Sequence, residues 1–135
     1  MRFLLDTNIS IYLMKGHPLP VVERFQTTLL GDVLMSVVTY AELRHGVERC
    51  PPHDRVAADD SLQRFVGRVP VLPFDQHAAR SYGVLAAAIR DRSRNAMDRL
   101  IAAHAVSAGV TLVTNNKADF RGYPGLVVEN WALSP

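Results

Sequence analysis

Residues 2–15 read Arg-Phe-Leu-Leu-Asp-Thr-Asn-Ile-Ser-Ile-Tyr-Leu-Met-Lys. The first apolar run ends abruptly at Asp6 and predicts a short strand; Thr7 to Lys15 predicts a helix, stopped by Gly16 and Pro18. A strand that ends in a carboxylate and turns at once into a helix opens an α/β unit, and the pattern repeats outward from it. Val21 to Leu30 predicts a second helix ended by Gly31, and Val33 to Val37 a buried strand. Thr39 can cap a helix through Glu42 to about Arg49, which Pro51 and Pro52 end. Asp54 opens another helix to about Arg68. Val69 to Phe74 is a weak strand that Pro70 and Pro73 confine to an edge. Asp75 caps a helix with Ala78, Tyr82, Leu85 and Ile89 on one face, and Ala96 to Ala108 is a further helix closed by Gly109. Val110 to Val113 predicts a central strand and Leu126 to Val128 the last one. Strands alternating with helices imply right-handed crossovers and an α/β fold, a mainly parallel sheet with helices on both faces.

The chain has 135 residues, 48% hydrophobic and 21% charged, which suits one domain over 1–135 and is too short for two. A single cysteine, Cys50, excludes an internal disulfide framework and Cys-rich zinc or iron–sulfur sites. The longest apolar stretch, Ile101 to Val113, is broken by His104, Ser107, Gly109 and Thr111, so no membrane span is expected. No charged segment followed by an apolar one opens the chain, and the cytoplasm is the expected location. Net charge is only +2, but 13 of the 15 basic residues are Arg. Arg grips phosphate bidentately, although a GC-rich coding bias gives the same count.

In open parallel sheets, sites form beyond the carboxyl ends of the strands. Asp6 stands at the first such end, where a partly desolvated carboxylate needs a partner, a helix N-terminus or a cation. Glu42 lies three residues after Thr39, a spacing that also fits a capping box. Asp98 falls in the first turn of its helix, where the macrodipole favours negative charge. Thr114, Asn115 and Asn116 follow the central strand, and Asp119 comes soon after. Each has a purely structural explanation. Together they bring Asp6, Glu42 and Asp98 toward one sheet edge, where like charges need a cation. With no Cys or His cluster beside them, oxygen ligands select Mg²⁺ or Mn²⁺, and metal-assisted phosphodiester hydrolysis is the implied reaction class.

Four segments carry a resemblance: Leu-Leu-Asp-Thr-Asn at 4–8, Ser-Val-Val-Thr-Tyr-Ala-Glu-Leu at 36–43, Asp-Arg-Leu-Ile-Ala-Ala-His-Ala at 98–105, and Val-Thr-Asn-Asn-Lys-Ala-Asp-Phe at 113–120. In this order and spacing the chain resembles PIN-domain ribonucleases, and in length the VapC toxins of bacterial toxin–antitoxin operons. The resemblance implies a three-layer α/β/α fold, Mg²⁺- or Mn²⁺-dependent endoribonuclease activity, a VapB-type antitoxin and a homodimer. It implies Asp6, Glu42 and Asp98 as the metal-binding acidic triad, supported by Thr7 and Asn8 and by Thr114, which holds an acid by hydrogen bond. Asn116 falls where many relatives place a fourth acid, and Asp119 is the alternative source of that charge. Look-alikes cut structured RNA in single-stranded loops, including the anticodon loop of initiator tRNA, so tRNA is the expected substrate. Where relatives carry a Gly- and Pro-containing turn, this chain has Arg92-Ser93-Arg94-Asn95. Arg90, Arg92, Arg94 and Arg99 are therefore candidate RNA-phosphate contacts.

The apolar helices around Ile11 to Met14 and Val21 to Leu30 are a candidate antitoxin groove, and read equally well as ordinary core. His104 is expected to pack within its helix, while His45, three residues after Glu42, could face the cleft, though a role there as ligand or proton shuttle is the minor reading. Tyr12 and Tyr40 are read as core residues, and Trp131 as an anchor for the tail. Three other functions compete. A haloacid-dehalogenase-like phosphatase needs a second acid two residues after the first, where this chain has Asn8. A metal-free ribonuclease needs a His pair, and none of the five histidines forms one recognisably. A catalytically weak PIN module would bind RNA or a partner without cutting, and Asn116 is the residue that keeps this reading open.

Overall fold

The computed structural model describes residues 2–89 and 95–132. The chain begins with β1 (Phe3–Leu5), α1 (Thr7–Lys15) and α2 (Leu19–Gln26). β2 (Val33–Ser36) leads directly into α3 (Val37–Glu48), followed by α4 (Pro52–Arg68) and β3 (Val71–Leu72). α5 (Gln76–Ala88) and α6 (Ala96–Ala108) precede β4 (Thr111–Val113) and β5 (Val128–Glu129), and a 3₁₀ turn over Lys117–Phe120 separates these last two strands. The five strands form one sheet in the order β3-β2-β1-β4-β5, every pairing parallel. Among the described residues no helix is long and apolar enough to cross a membrane.

The sheet alternates its side chains between two cores, as the two-residue period of a strand requires. Phe3, Leu5, Val33, Met35 and Val113 face α1 to α4, where they meet Ile9, Val21, Phe25, Leu43, Val47, Leu62 and Phe65. Leu4, Leu34 and Leu112 face α5 and α6, meeting Leu85, Ile101 and a run of alanines at 102, 103 and 105. The small side chains let α6 lie close to the sheet. Three layers result, with β1 covered on both faces. Trp131 packs edge-on against Phe3 with ring centroids 5.2 Å apart, and its indole N–H donates to Glu129 at 2.9 Å. It fastens the tail, as the sequence predicts.

Several boundaries move for local reasons. α2 starts at Leu19, ahead of the expected Val21, because Pro20 in the first turn forfeits no hydrogen bond. It stops at Gln26, well before Leu30. There the Thr27 and Thr28 hydroxyls turn back onto the carbonyls of Arg24 (2.7 Å) and Phe25 (2.6 Å). α3 is capped by Ser36, whose hydroxyl accepts from the Val38 N–H at 3.1 Å, and Thr39 is already inside the helix. The β-branched pair Val37–Val38 reads as strand but forms the first turn. Pro52, not Asp54, opens α4. Asp75 caps α5 by accepting from Ala78, and Gly109 closes α6 at φ 67°, both as expected. The weak strand shrinks to Val71–Leu72 and lies at the edge. β4 is interior, but β1 holds the centre, and the last strand falls two residues later than expected at its start.

Leu4 is fully buried in that central strand. Leu4→Ala should lower unfolding stability by about 2–5 kcal/mol, read from the urea midpoint at unchanged slope.

Candidate active site

The chain leaves β1 toward β2 and β3, then returns to β4 on the other side of β1. Connections therefore diverge at the carboxyl ends of β1 and β4, which opens a crevice in a parallel sheet. Asp6 follows β1 and Thr114 follows β4, and the Asp6 N–H donates to the Val113 carbonyl at 3.0 Å. A cavity of about 220 Å³ lies there, lined by Asp6, Thr7, Asn8, Glu42, Asn95, Asp98, Thr114, Asn116, Asp119 and Phe120. α3 contributes Glu42, α6 contributes Asp98, and the 3₁₀ turn contributes Asp119.

Asp6 caps α1, accepting from the Ile9 N–H at 2.9 Å, and also accepts from the buried Thr114 hydroxyl. Both bonds favour the charged form. Burial outweighs them, Asp98 and Glu42 add repulsion, and the carboxyl is pushed up to about 6. Asp98 is pushed up to about 6 as well, first by burial and then by Asp119 and Glu42. The Thr7 hydroxyl donates to Glu42 Oε1 at 2.7 Å and lies 3.3 Å from Thr39 Oγ1. This removes the capping-box explanation for Glu42, since Thr39 sits beside Thr7 and Ser36 is the cap. At the mouth, the Asn116 amide donates to Asp119 Oδ2 at 2.8 Å, and its backbone N–H donates to Thr114 Oγ1 at 3.1 Å.

None of the described lining residues is cationic. As the side chains stand, no three His, Cys, Asp or Glu among the described residues are drawn together tightly enough to hold a metal ion. Glu42 is held toward Thr7, and Asp6 toward Ile9 and Thr114, and none of the described residues lining the cavity sets a cation beside them. The donor set is entirely oxygen and, through Asp6 and Asp98, poorly compensated. That chemistry fits a hard divalent cation and offers nothing to a soft one.

Eight of the residues singled out in the sequence line this cavity: Asp6, Thr7, Asn8, Glu42, Asp98, Thr114, Asn116 and Asp119. Arg90, Arg92 and Arg94 lie outside the described residues. Arg99 is half-buried on α6 and does not line the cavity, nor does His45, which is exposed on α3 rather than facing the cleft. Tyr12 and Tyr40 pack partly buried against the core, as expected. Two lining residues escape the sequence analysis. Asn95 caps α6 by accepting from the Met97 N–H at 2.8 Å, a preference its position just before the helix signals. Phe120 forms the apolar wall and carries no such signal.

The family model for the PIN domain matches residues 3–126. The chain belongs to the PIN-domain family. Within that family it is similar to VapC proteins over nearly its whole length. The Shigella flexneri protein named tRNA(fMet)-specific endonuclease VapC is 37% identical over 134 residues, spanning 98% of this chain and 99% of that one. Ribonuclease VapC2 of Haemophilus influenzae is 34% identical over 133 residues, spanning 97% and 98%. The crystal structure of DNA-bound VapBC from Salmonella typhimurium superposes with a TM-score of 0.87 at 32% identity, covering 97% of this chain and 98% of that one. The three-layer PIN architecture expected from the sequence is thus the one observed.

Asp6 and Asp98 bind protons more tightly folded than unfolded, so they destabilise the metal-free PIN domain as pH rises from about 4 through about 6. In EDTA, thermal stability should therefore gain from acidification within this window. Asp6→Asn keeps a good cap and removes the buried charge. It should flatten the pH slope and stabilise the chain at about pH 7.5 by on the order of 2 kcal/mol, checked by calorimetry.

Proposed function

We propose that this PIN-domain chain is a Mg²⁺- or Mn²⁺-dependent endoribonuclease, the toxin of a VapBC-type pair. One observation carries the reading: Asp6, Glu42 and Asp98 border one crevice whose described walls hold no cation, and two of them are pushed up to about 6. Asp6, Glu42 and Asp98 would hold the ion. When bound, it supplies charge compensation at the scissile phosphate and activates water for hydrolysis. The protein's own groups then have separable tasks. Thr114 and Ile9 N–H orient Asp6, and the Thr7 hydroxyl fixes Glu42. The Asn116 amide directs Asp119 at the mouth, where Asn8 and Asn95 offer amides to ribose or phosphate oxygens. Arg99 and the arginines at 90, 92 and 94 extend the phosphate grip along the RNA.

The substrate is a structured RNA cut in a single-stranded loop, with a tRNA anticodon loop, initiator tRNA in particular, as the candidate. The Shigella relative's name supports that choice. The partner is a VapB-type antitoxin, supported by the similarity to VapBC complexes. An apolar groove of about 380 Å³ runs between α1, α3 and α4, lined by Ile11, Met14, Leu43, Val47 and Ala58. It borders Glu42, so a helix seated there brings its end to the acidic crevice. That position differs from the expected α1–α2 groove, because α2 packs Val21 and Phe25 into the core. A homodimer completes the assembly. The competing reading, a module that binds RNA without cutting, draws on the amide at Asn116 and on the spread of the carboxylates.

Cleavage of a bacterial tRNA pool by antitoxin-free protein decides between them. Discrete fragments should form with Mg²⁺ or Mn²⁺ and vanish with EDTA and with Asp98→Asn. Thr7→Val should lower the rate about 10–100-fold by releasing Glu42. Folded protein that leaves every RNA intact under all conditions would establish the binding-only reading instead.

A further inference from the structure

His104 lies six residues beyond Asp98 on α6 and is only 3% exposed. Its Nδ1 stands 2.7 Å from the hydroxyl oxygen of Ser36, which is fully buried. The ring also hydrogen-bonds the backbone of Pro73. Proline has no N–H, so that partner is the carbonyl and the ring donates to it. Burial holds the imidazole below its usual pKa despite the nearby Asp75 carboxylate, so it is neutral with a single N–H. The Ser36 oxygen accepts the Val38 N–H at 3.1 Å and shares a hydrogen bond with Nδ1, the ring's tautomer setting which of the two donates. These contacts form one chain. It runs from the β3–α5 connection through α6 to the first turn of α3, and Phe74 closes over the ring edge-on at 5.3 Å.

Ser36 is six residues before Glu42, and His104 is six residues after Asp98. The bond thus ties the two helices about 9 Å along each axis from the acid it carries. We propose that His104 is a positioning residue for the acidic crevice: its bond to Ser36 sets the helix bearing Glu42 against the helix bearing Asp98. This rests on the crevice being a metal-dependent nuclease site. A slide or rotation of either helix changes the separation of two ligands from different elements. Filling the ring's volume with an apolar side chain leaves the Ser36 hydroxyl with only its bond from the Val38 N–H, removes the ring from the Pro73 carbonyl, and lets the helices resettle.

The test separates the hydrogen bond to Ser36 from packing. In His104→Asn the side-chain amide takes the place of Nδ1 toward Ser36, whichever of the two donates; His104→Gln reaches toward Pro73 and loses Ser36. Ser36→Ala removes the bond from the other side. Mn²⁺ affinity by titration calorimetry and RNA cleavage kinetics are measured on variants whose folding is checked by thermal unfolding. His104→Asn should remain within about twofold of the wild type in Mn²⁺ Kd and kcat. His104→Gln and Ser36→Ala should weaken Mn²⁺ binding and lower kcat about 10–100-fold with KM for RNA unchanged. Wild-type Mn²⁺ binding and kcat in Ser36→Ala and His104→Gln would overturn the inference, as would equal losses in His104→Asn and His104→Gln. A wild-type chain that neither binds Mn²⁺ nor cleaves RNA would remove the nuclease reading, and this inference with it.

Discussion

A carboxylate buried at the end of the central strand is the constraint around which the rest is arranged. Asp6 must cap α1, a task any polar N-cap residue performs at the surface at little cost. Here it does so almost fully buried, between β1 and β4, with two other acids acting on it. The Ile9 N–H and the Thr114 hydroxyl orient the carboxylate without neutralising it, and its pKa rises to about 6. A fold selected for stability alone would place a neutral cap there. The charge is retained at the one point where the connections of a parallel sheet part and admit a ligand. The site is therefore built on a frustrated electrostatic arrangement, which the proposed divalent cation would relieve.

The scaffold supplies the stiffness such an arrangement needs. β1 and β4 are covered on both faces, and Leu4, Leu5, Leu112 and Val113 are fully buried. Asp6 and Thr114 thus hang from the least deformable part of the chain. Glu42 and Asp98 come instead from helices, which move as rods and require ties of their own. Thr7 reaches Glu42 from α1, and Ser36 with His104 joins α3 to α6. At the solvent edge, Asn116 places an amide beside Asp119 where an acid would add one more like charge. Interior residues fix the carboxylates, and the residues at the mouth moderate their charge.

Much of this is legible in the sequence because the informative residues are local. Phe3-Leu4-Leu5-Asp6-Thr7 states a strand, a cap and a helix within five positions, and Gly109 marks a helix end that the backbone confirms at φ 67°. Asp6 and Asp98 are legible because one follows a strand and the other begins a helix, the places a parallel sheet gathers on one edge, while Glu42 lies in the second turn of α3 and is legible only as part of its motif. What escaped depends on tertiary contact. Val37 and Val38 carry strand propensity, yet Ser36 caps them into a helix because the buried hydroxyl has His104 as its partner 68 residues away. Thr39 has the chemistry of a cap and serves instead beside Thr7 in the interior. α2 ends early because two threonine hydroxyls divert its last carbonyls, and the groove beside the crevice forms between α1, α3 and α4 because α2 is committed to the core. Phe120 becomes a wall of the site through the 3₁₀ turn, which no periodicity announces.

A cation shared by the carboxylates of the crevice can be located directly. Anomalous diffraction at the manganese edge from crystals grown with Mn²⁺ tests for it without reference to any substrate. An anomalous peak is expected in the crevice within ligating distance of Asp6 and Asp98, with Glu42 drawn toward it and the peak lost in Asp98→Asn. A fully Mn²⁺-equilibrated crystal with no peak in the crevice, or with manganese bound only elsewhere, would contradict it.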